Sequence, residues 1–461
     1  MKLFNELTLK FEKSNWAANP EFGLIDTILE TNPQLINLAK RDIIGSEKEN
    51  NFGRKDTPSV EQIVRAAIFK EMKNLDYREL EFAQVDSRIC ATFIKLDLRE
   101  PFSFQLFQKY ISRIKASTLS QILMEINKIA IQEGFEDVSK VRQDTFVVET
   151  NIHYPTNNSL VWDCIKESHR LLGFLKEEIS TLSYKKYLKT AKSTYFKINV
   201  TKNLDKRTKL FEKQLITFTK VLNQTSNAIK KKSVSLTAMA IQMQMEKLMF
   251  LMEKVYDMTL RKEILGDSVP TDEKIFSIYE LHTDIIVKGS RDVQFGHKIN
   301  LATGKSNLIL DCEILKGNPS DKTLFQPTID RIIENYGVVP RDSTADGGFA
   351  TIDNTKYAIN KGIVNVVFNK VVGSMQNVTS SLRLETMLKK WRSGIEAVIS
   401  NLVRGFNIRV CNWKGWEHFQ AKVMWSVLAY NFRVMTSLVL KKIAAIKQKI
   451  SITNFASQLV C

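Results

Sequence analysis

One short run divides this chain into stretches of different character. Val141-Arg-Gln-Asp-Thr-Phe-Val-Val148 is rich in β-branched and aromatic residues and reads as a strand. It carries an acid, Asp144, in its middle, where an ionised side chain is costly unless it is paired or bound to metal. Either the fold brings a partner to that carboxylate, or Asp144 is an ordinary turn or edge residue.

Before the strand the pattern is helical. Thr57-Pro58-Ser59 sets a capping hydroxyl beside a proline in a first turn, and Val60, Ile63, Val64, Ile68 and Phe69 come next at helical spacing. Further helices are expected at 77–83, 103–114 and 117–131, joined by short connectors. Such a bundle suits a helix presented to a DNA groove, and equally an interaction module.

After the strand, Pro155-Thr-Asn-Asn158 reads as a turn from which 159–163 pairs back as a hairpin. Residues 164–265 are then mostly helical and basic. Between Thr181 and Met245 the only acids are Asp205 and Glu212, and Lys230, Lys231 and Lys232 stand in a row. The interleaved aromatics and methionines read as core, whereas the lysines suit a phosphate backbone, where each contact releases counterions. Strand character returns at 275–279, 284–287, 294–301 and 308–315, followed by a helix at 322–336 and a short strand at 341–345. A helix at 354–361 and a strand at 364–368 come next, and from about 380 the chain is helical with a break near 404–415. The expected fold is mixed α/β and helix-rich, a mixed sheet flanked by helices. Its expected parts are a helical N-terminal domain (1–136), a catalytic domain (137–163 and 275–445), a basic helical insertion (164–274) and a C-terminal tail (446–461).

The formal charge of +17 and pI near 9.4 attract polyanions, so nucleic acid is the expected partner. No apolar run is read as reaching the roughly 20 residues of a membrane span, and the start has no signal core, so a cytoplasmic location is expected. The five cysteines form no Cys-x-x-Cys pair, which argues against a zinc site or a disulfide framework. Phosphate-loop, zincin and nucleophile-elbow motifs are missing.

What remains is carboxylates. Asp346 follows a short strand and precedes Gly347 and Gly348, and Glu396 lies one helical turn after Arg392. An acid on a first strand, a second at the end of a later strand and a third on a following helix can converge on one point of a mixed sheet. Oxygen ligands of that kind suit Mg²⁺, and two such ions support in-line displacement at phosphorus.

Several blocks resemble insertion-sequence transposases of the ISNCY-like group. Asp144-Thr-Phe-Val-Val-Glu-Thr-Asn-Ile-His-Tyr-Pro-Thr-Asn-Asn-Ser-Leu-Val-Trp-Asp163 is similar to the first catalytic strand and hairpin of that group. Tyr279-Glu-Leu-His-Thr-Asp-Ile-Ile-Val-Lys-Gly289 and Gln294-Phe-Gly-His-Lys-Ile-Asn300 resemble its next strands. Ser343-Thr-Ala-Asp-Gly-Gly-Phe-Ala350 resembles the block of the second aspartate. Arg392-Ser-Gly-Ile-Glu396 with Ala429-Tyr-Asn-Phe-Arg433 resembles the block of the glutamate. The segment 58–127, with Asp76-Tyr-Arg-Glu-Leu80, is similar to the N-terminal domain common in these enzymes.

The resemblance implies an RNase H-like DDE transposase that cleaves element ends and transfers the strand to target DNA. It implies Asp144, Asp346 and Glu396 as catalytic metal ligands, holding two Mg²⁺ or Mn²⁺ ions, with Arg392 near the DNA phosphate. Double-stranded DNA and a homodimer in the synaptic complex are the implied partners, at the nucleoid. Lys389 stands where related enzymes often have tyrosine, and Val403 where they have a basic residue; Arg404 is one step late, about 100° away on a regular helix. His297 and Lys298 are candidates for DNA or supporting contacts, or else ordinary strand residues. Trp413 and Trp416 either stack on bases or pack the core. A nuclease or resolvase of the same fold, and an inactive DNA-binding derivative, stay open as alternatives.

Overall fold

Capping chemistry sets the first helices. The structure, a computed structural model, describes residues 16, 19–45, 57–97, 99–288, 292–371, 373 and 375–458. Helices α1 (Pro20–Thr31), α2 (Gln34–Ile44), α3 (Val60–Lys73) and α4 (Tyr77–Asp86) lead into α5 (Arg88–Ile94), α6 (Phe104–Ile111) and α7 (Ala116–Gln132). Ser59 with Gln62 opens α3, and Asp76 with Glu79 opens α4, each as a reciprocal capping box.

The chain divides into two compact units, Met1–Glu149 with Gly296–Cys461, and Thr150–Phe295. In the first, the helices of 20–132 do not form a core of their own. Their buried faces share one apolar cluster with Phe146 and Val148, with Ile299 and Leu301, and with Phe419, Val427 and Phe432 of the last helix, α15 (Trp416–Gln458). The expected separate domain at 1–136 is thus helical but built into the same body as the sheet. A buried amide clamp joins it: Asn431 donates to Asn127 Oδ1 (2.9 Å) and the Ile309 carbonyl (2.9 Å) and accepts from the Ile309 N–H (3.0 Å). The segment 446–461, expected as a tail, continues α15 as far as Gln458.

The sheet contains β1 (Lys140–Thr150), β2 (Asp284–Lys288), β3 (Asp292–Thr303), β4 (Ile309–Ile314), β5 (Asp342–Ala345), β6 (Asn365–Phe368) and β7 (Val410–Cys411). Its order is β2-β3-β1-β5-β6, with β4 added to β3 and β7 to β1. Strands β1, β5 and β6 run parallel, whereas β3 is antiparallel to β1 and β4 to β3. Successive residues of β1 serve opposite faces. Gln143 reaches the helix α12 (Phe325–Tyr336), where it bonds Thr328, while Arg142 and Asp144 reach α14 (Leu382–Ser400) on the other face. Under α12, residues Phe325 and Ile329 pack with Phe349, Val366 and Phe368 and with Ala358 of α13 (Ile352–Asn360).

Most of the second unit is helical, with α8 (Asn157–Glu178), α9 (Leu188–Val200), α10 (Leu204–Ile229) and α11 (Leu236–Thr259) around a core that includes Leu172, Phe218, Met245 and Met252. The hairpin expected at 159–163 is instead the first turn of α8. Thr156 and Ser159 form a capping box, and Leu160, Val161, Cys164 and Ile165 continue one buried helical stripe. Pro155 therefore precedes a helix start. Nor is 275–279 a strand, because Ser277 Oγ accepts from the N–H groups of Tyr279 and Glu280 and curls the chain.

One helical stretch, Trp416–Ile446, is long and apolar enough to cross a membrane, contrary to the expectation from apolar runs. Its most apolar window is 72% buried in the protein, the condition of a core helix. Cys90, Cys164 and Cys411 are buried and Cys312 is partly so.

Candidate active site

Parallel pairing sets the first two acids side by side. Gln143 pairs with Ala345, so Asp144 and Asp346 both lie one residue beyond that pair on neighbouring strands. The third, Glu396, sits on α14, which covers the same face of the sheet.

The three meet at a guanidinium. Arg392 Nη2 donates to Asp144 Oδ2 at 2.6 Å and lies 3.6 Å from Asp346 Oδ1, while Nη1 donates to Glu396 Oε1 at 3.3 Å. Exposure grades outward, from Arg392 (7%) and Asp144 (16%) to Asp346 (48%) and Glu396 (67%). The other Asp144 oxygen accepts the N–H of Thr145 at 2.7 Å. Asp346 and Glu396 keep much of their surface open to solvent, where their negative charge attracts a cation. The Arg392–Asp144 contact is the desolvated and therefore strong one, whereas the Glu396 contact is screened.

The donors are all hard oxygens, which fits Mg²⁺ or Mn²⁺. Among the described residues no three His, Cys, Asp or Glu side chains are grouped closely enough to hold an ion as they stand. They are spread around Arg392 instead.

Gly347 and Gly348 are both closely packed. A Cβ on Gly347 would lie 2.9 Å from Lys370 Cβ and 3.2 Å from its carbonyl, and one on Gly348 would lie 3.0 Å from Asp321 Oδ2. Asp321 was not foreseen, since its stretch of sequence shows only a turn before a helix. Its carboxylate takes Lys298 Nζ (3.1 Å) and Thr145 Oγ1 (3.4 Å), which ties the loop before α12 to the strand next to Asp144.

The other candidates lie elsewhere. Lys298 is buried on the α12 side of the sheet, held by Asp321 and the Pro319 carbonyl (2.7 Å). His297 is fully buried, its ring 4.5 Å from that of Trp416 and 4.9 Å from that of Phe419, so both His297 and Trp416 serve the core. Trp413 stacks on Tyr77 beside a cavity of about 780 Å³ that none of the acids lines. Lys230, Lys231 and Lys232 lie at the turn after α10, in the second unit.

Arg404 lies outside the regular part of α14. The chain takes a π-helical turn over Asn401–Gly405, which absorbs one residue relative to a regular helix. Val403 packs on the core and Arg404 is exposed within this turn. Lys389 pairs with Glu385 at 2.7 Å.

Residues 288–432 match the family model of the transposase DDE domain. The match contains Asp346, Arg392 and Glu396, covers less than half of the chain, and begins after Asp144. It supports a DDE transposase family and with it a polynucleotidyl-transferase type of enzyme. No curated protein and no solved structure matches the chain.

Proposed function

We propose that this chain is an insertion-sequence transposase of the ISNCY-like group, with an RNase H-like catalytic core, that cleaves DNA at the element ends and joins the freed 3′-OH to target DNA. The observation that carries the reading is the convergence of Asp144, Asp346 and Glu396, from β1, the end of β5 and α14, on one cationic group. The parallel β1, β5 and β6 with antiparallel β3 suit the RNase H-like assignment.

In this reading the three acids hold two Mg²⁺ or Mn²⁺ ions, which when bound activate the attacking oxygen and stabilise the leaving one. Asp144, the most buried, fixes the site to the sheet; Asp346 and Glu396, more exposed, form its solvent side. Arg392 brings a planar fork of donors suited to a phosphate oxygen pair, and Arg404 offers a second, exposed cation along the same helix. The lysines of the second unit, Lys230–Lys232 among them, supply sequence-independent backbone contacts. Two ends have to be held together, so a homodimer on double-stranded DNA, at the nucleoid in the cytoplasm, completes the proposal.

The test is a reaction with Mg²⁺, DNA carrying an element end, and a target plasmid. Covalent end–target products are expected. Nicked ends without joined products would reduce the assignment to a nuclease, and no Mg²⁺-dependent product would refute it.

A further inference from the structure

A buried cation two residues before Asp144 has no part in the chemistry described above. Arg142 is on the same face of β1 as Asp144 and is almost wholly buried. Its guanidinium is used on every side. Nε donates to Thr303 Oγ1 on β3 (2.9 Å), Nη2 to Asn307 Oδ1 in the turn after β3, and Nη1 to the Trp391 carbonyl on α14 (2.6 Å). The guanidinium carbon also lies 4.8 Å from the centre of the Trp391 ring. Trp391 directly precedes Arg392.

All three hydrogen-bond acceptors are neutral. Burial pulls the Arg142 guanidinium down to about 10, with nearby Arg392 adding a like-charge push, and it stays charged at neutral pH. A buried cation without a carboxylate of its own is an expensive way to hold a helix, since apolar packing serves as well. What it adds is direction: each hydrogen bond fixes one element to another at a set distance.

The counterpart on α14 is Gly394, midway between Arg392 and Glu396. Glycine inside a helix is disfavoured, and Gly394 has no positive φ to require it. Space requires it. A Cβ there would fall on Arg142 Nη1 and lie 3.2 Å from Cζ. The guanidinium cannot swing aside without giving up the Trp391 carbonyl and the two acceptors on the β3 side.

We propose that Arg142 and Gly394 set the register of α14 against β1, so that Arg142 is a positioning residue for the Asp144–Arg392–Glu396 cluster. The helix can approach to guanidinium contact only at the glycine, and the Trp391 carbonyl stops it from sliding along the strand. The inference rests on the proposed function only in calling these acids the catalytic ones.

Its test needs neither metal nor DNA. Urea unfolding of the full chain is measured for Gly394→Ala, Arg142→Lys and the double variant. Gly394→Ala should lower the folding constant by about 30-fold in the parent and by less than about threefold in the Arg142→Lys background, where the obstructing nitrogen is gone. Equal losses in both backgrounds overturn the proposal. If Gly394→Ala alone is too unstable to measure, the double variant must still fold, and its failure overturns the proposal as well. A second readout separates positioning from plain stability. The coupling between Asp144→Asn and Arg392→Gln should be about tenfold in the parent and close to onefold in Arg142→Lys. Undiminished coupling means that Arg142 only stabilises, which also overturns the proposal. A parent chain without cleavage or joining activity would refute the proposed function, whereas these cycles decide the register by themselves.

Discussion

Replacing Arg392 with Gln removes the cation that the structure sets among the three acids, and its cost follows from their burial. Asp144 is 16% exposed and its bond to Arg392 is 2.6 Å long. Breaking a buried pair by deleting one partner costs about 3–5 kcal/mol, because the remaining charge stays desolvated. Asp346 and Glu396, far more exposed than Asp144, add at most about 1 kcal/mol each, and that share fades with salt. Arg392→Gln should therefore destabilise the chain by about 3–5 kcal/mol in EDTA. The same change empties the space between the carboxylates of its competing cation, so Mn²⁺ should bind the variant more tightly than the parent. Each tenfold advantage in affinity returns about 1.4 kcal/mol at saturating Mn²⁺, narrowing the gap between the two. Urea unfolding followed by tryptophan fluorescence, with EDTA and with Mn²⁺, reads both effects. A variant within about 0.5 kcal/mol of the parent in EDTA, or equal stabilisation of both by Mn²⁺, would refute the reasoning.

Three further outcomes are expected. Glu71 is buried between Lys70 and Lys422; burial raises its carboxyl, but the two ammonium groups win and hold it below the ordinary value of 4.5. Glu71→Gln should cost about 3–5 kcal/mol at neutral pH. Because the folded value is depressed, that contribution is present above pH 4.5 and is lost as the pH falls through the folded value, so parent and variant should converge in acid unfolding curves. Asn431→Leu strands the Ile309 N–H and the Asn127 oxygen and should cost about 2–4 kcal/mol in urea unfolding, with the sheet edge at β4 loosened in hydrogen exchange. Replacing Lys230, Lys231 and Lys232 together with Ala should lower the slope of log affinity for duplex DNA against log salt by about 2–3, measured by fluorescence anisotropy; an unchanged slope removes these lysines from the interface.

Local chemistry made much of this legible. The strand around Asp144 shows itself because β-branched residues flank an acid, and the strand ending at Ala345 because a glycine pair comes soon after it. Where the sequence misled, a longer-range or finer effect decided. Pro155-Thr-Asn-Asn158 has the composition of a turn, yet the pairing of Thr156 with Ser159 makes it a helix cap. His297, left open in the sequence between a DNA contact and an ordinary strand residue, packs against the rings of Trp416 and Phe419, more than a hundred residues on. The π turn at Asn401–Gly405 interrupts the regular helix count to Arg404, and such a turn has no clear mark in composition. Arg142, Gly394 and Asp321 act through partners distant in sequence, such as Arg142 with Trp391, and no local pattern announces them.

The central claim is that Asp144, Asp346 and Glu396 form one metal-dependent catalytic centre on DNA. It is met most directly by measuring Mg²⁺-dependent end cleavage for Asp144→Asn, Asp346→Asn and Glu396→Gln, alongside binding of the same DNA. Each single variant should bind DNA within about threefold of the parent and lose at least about a hundredfold in cleavage rate. Cleavage at the parental rate by any one of them would contradict the account.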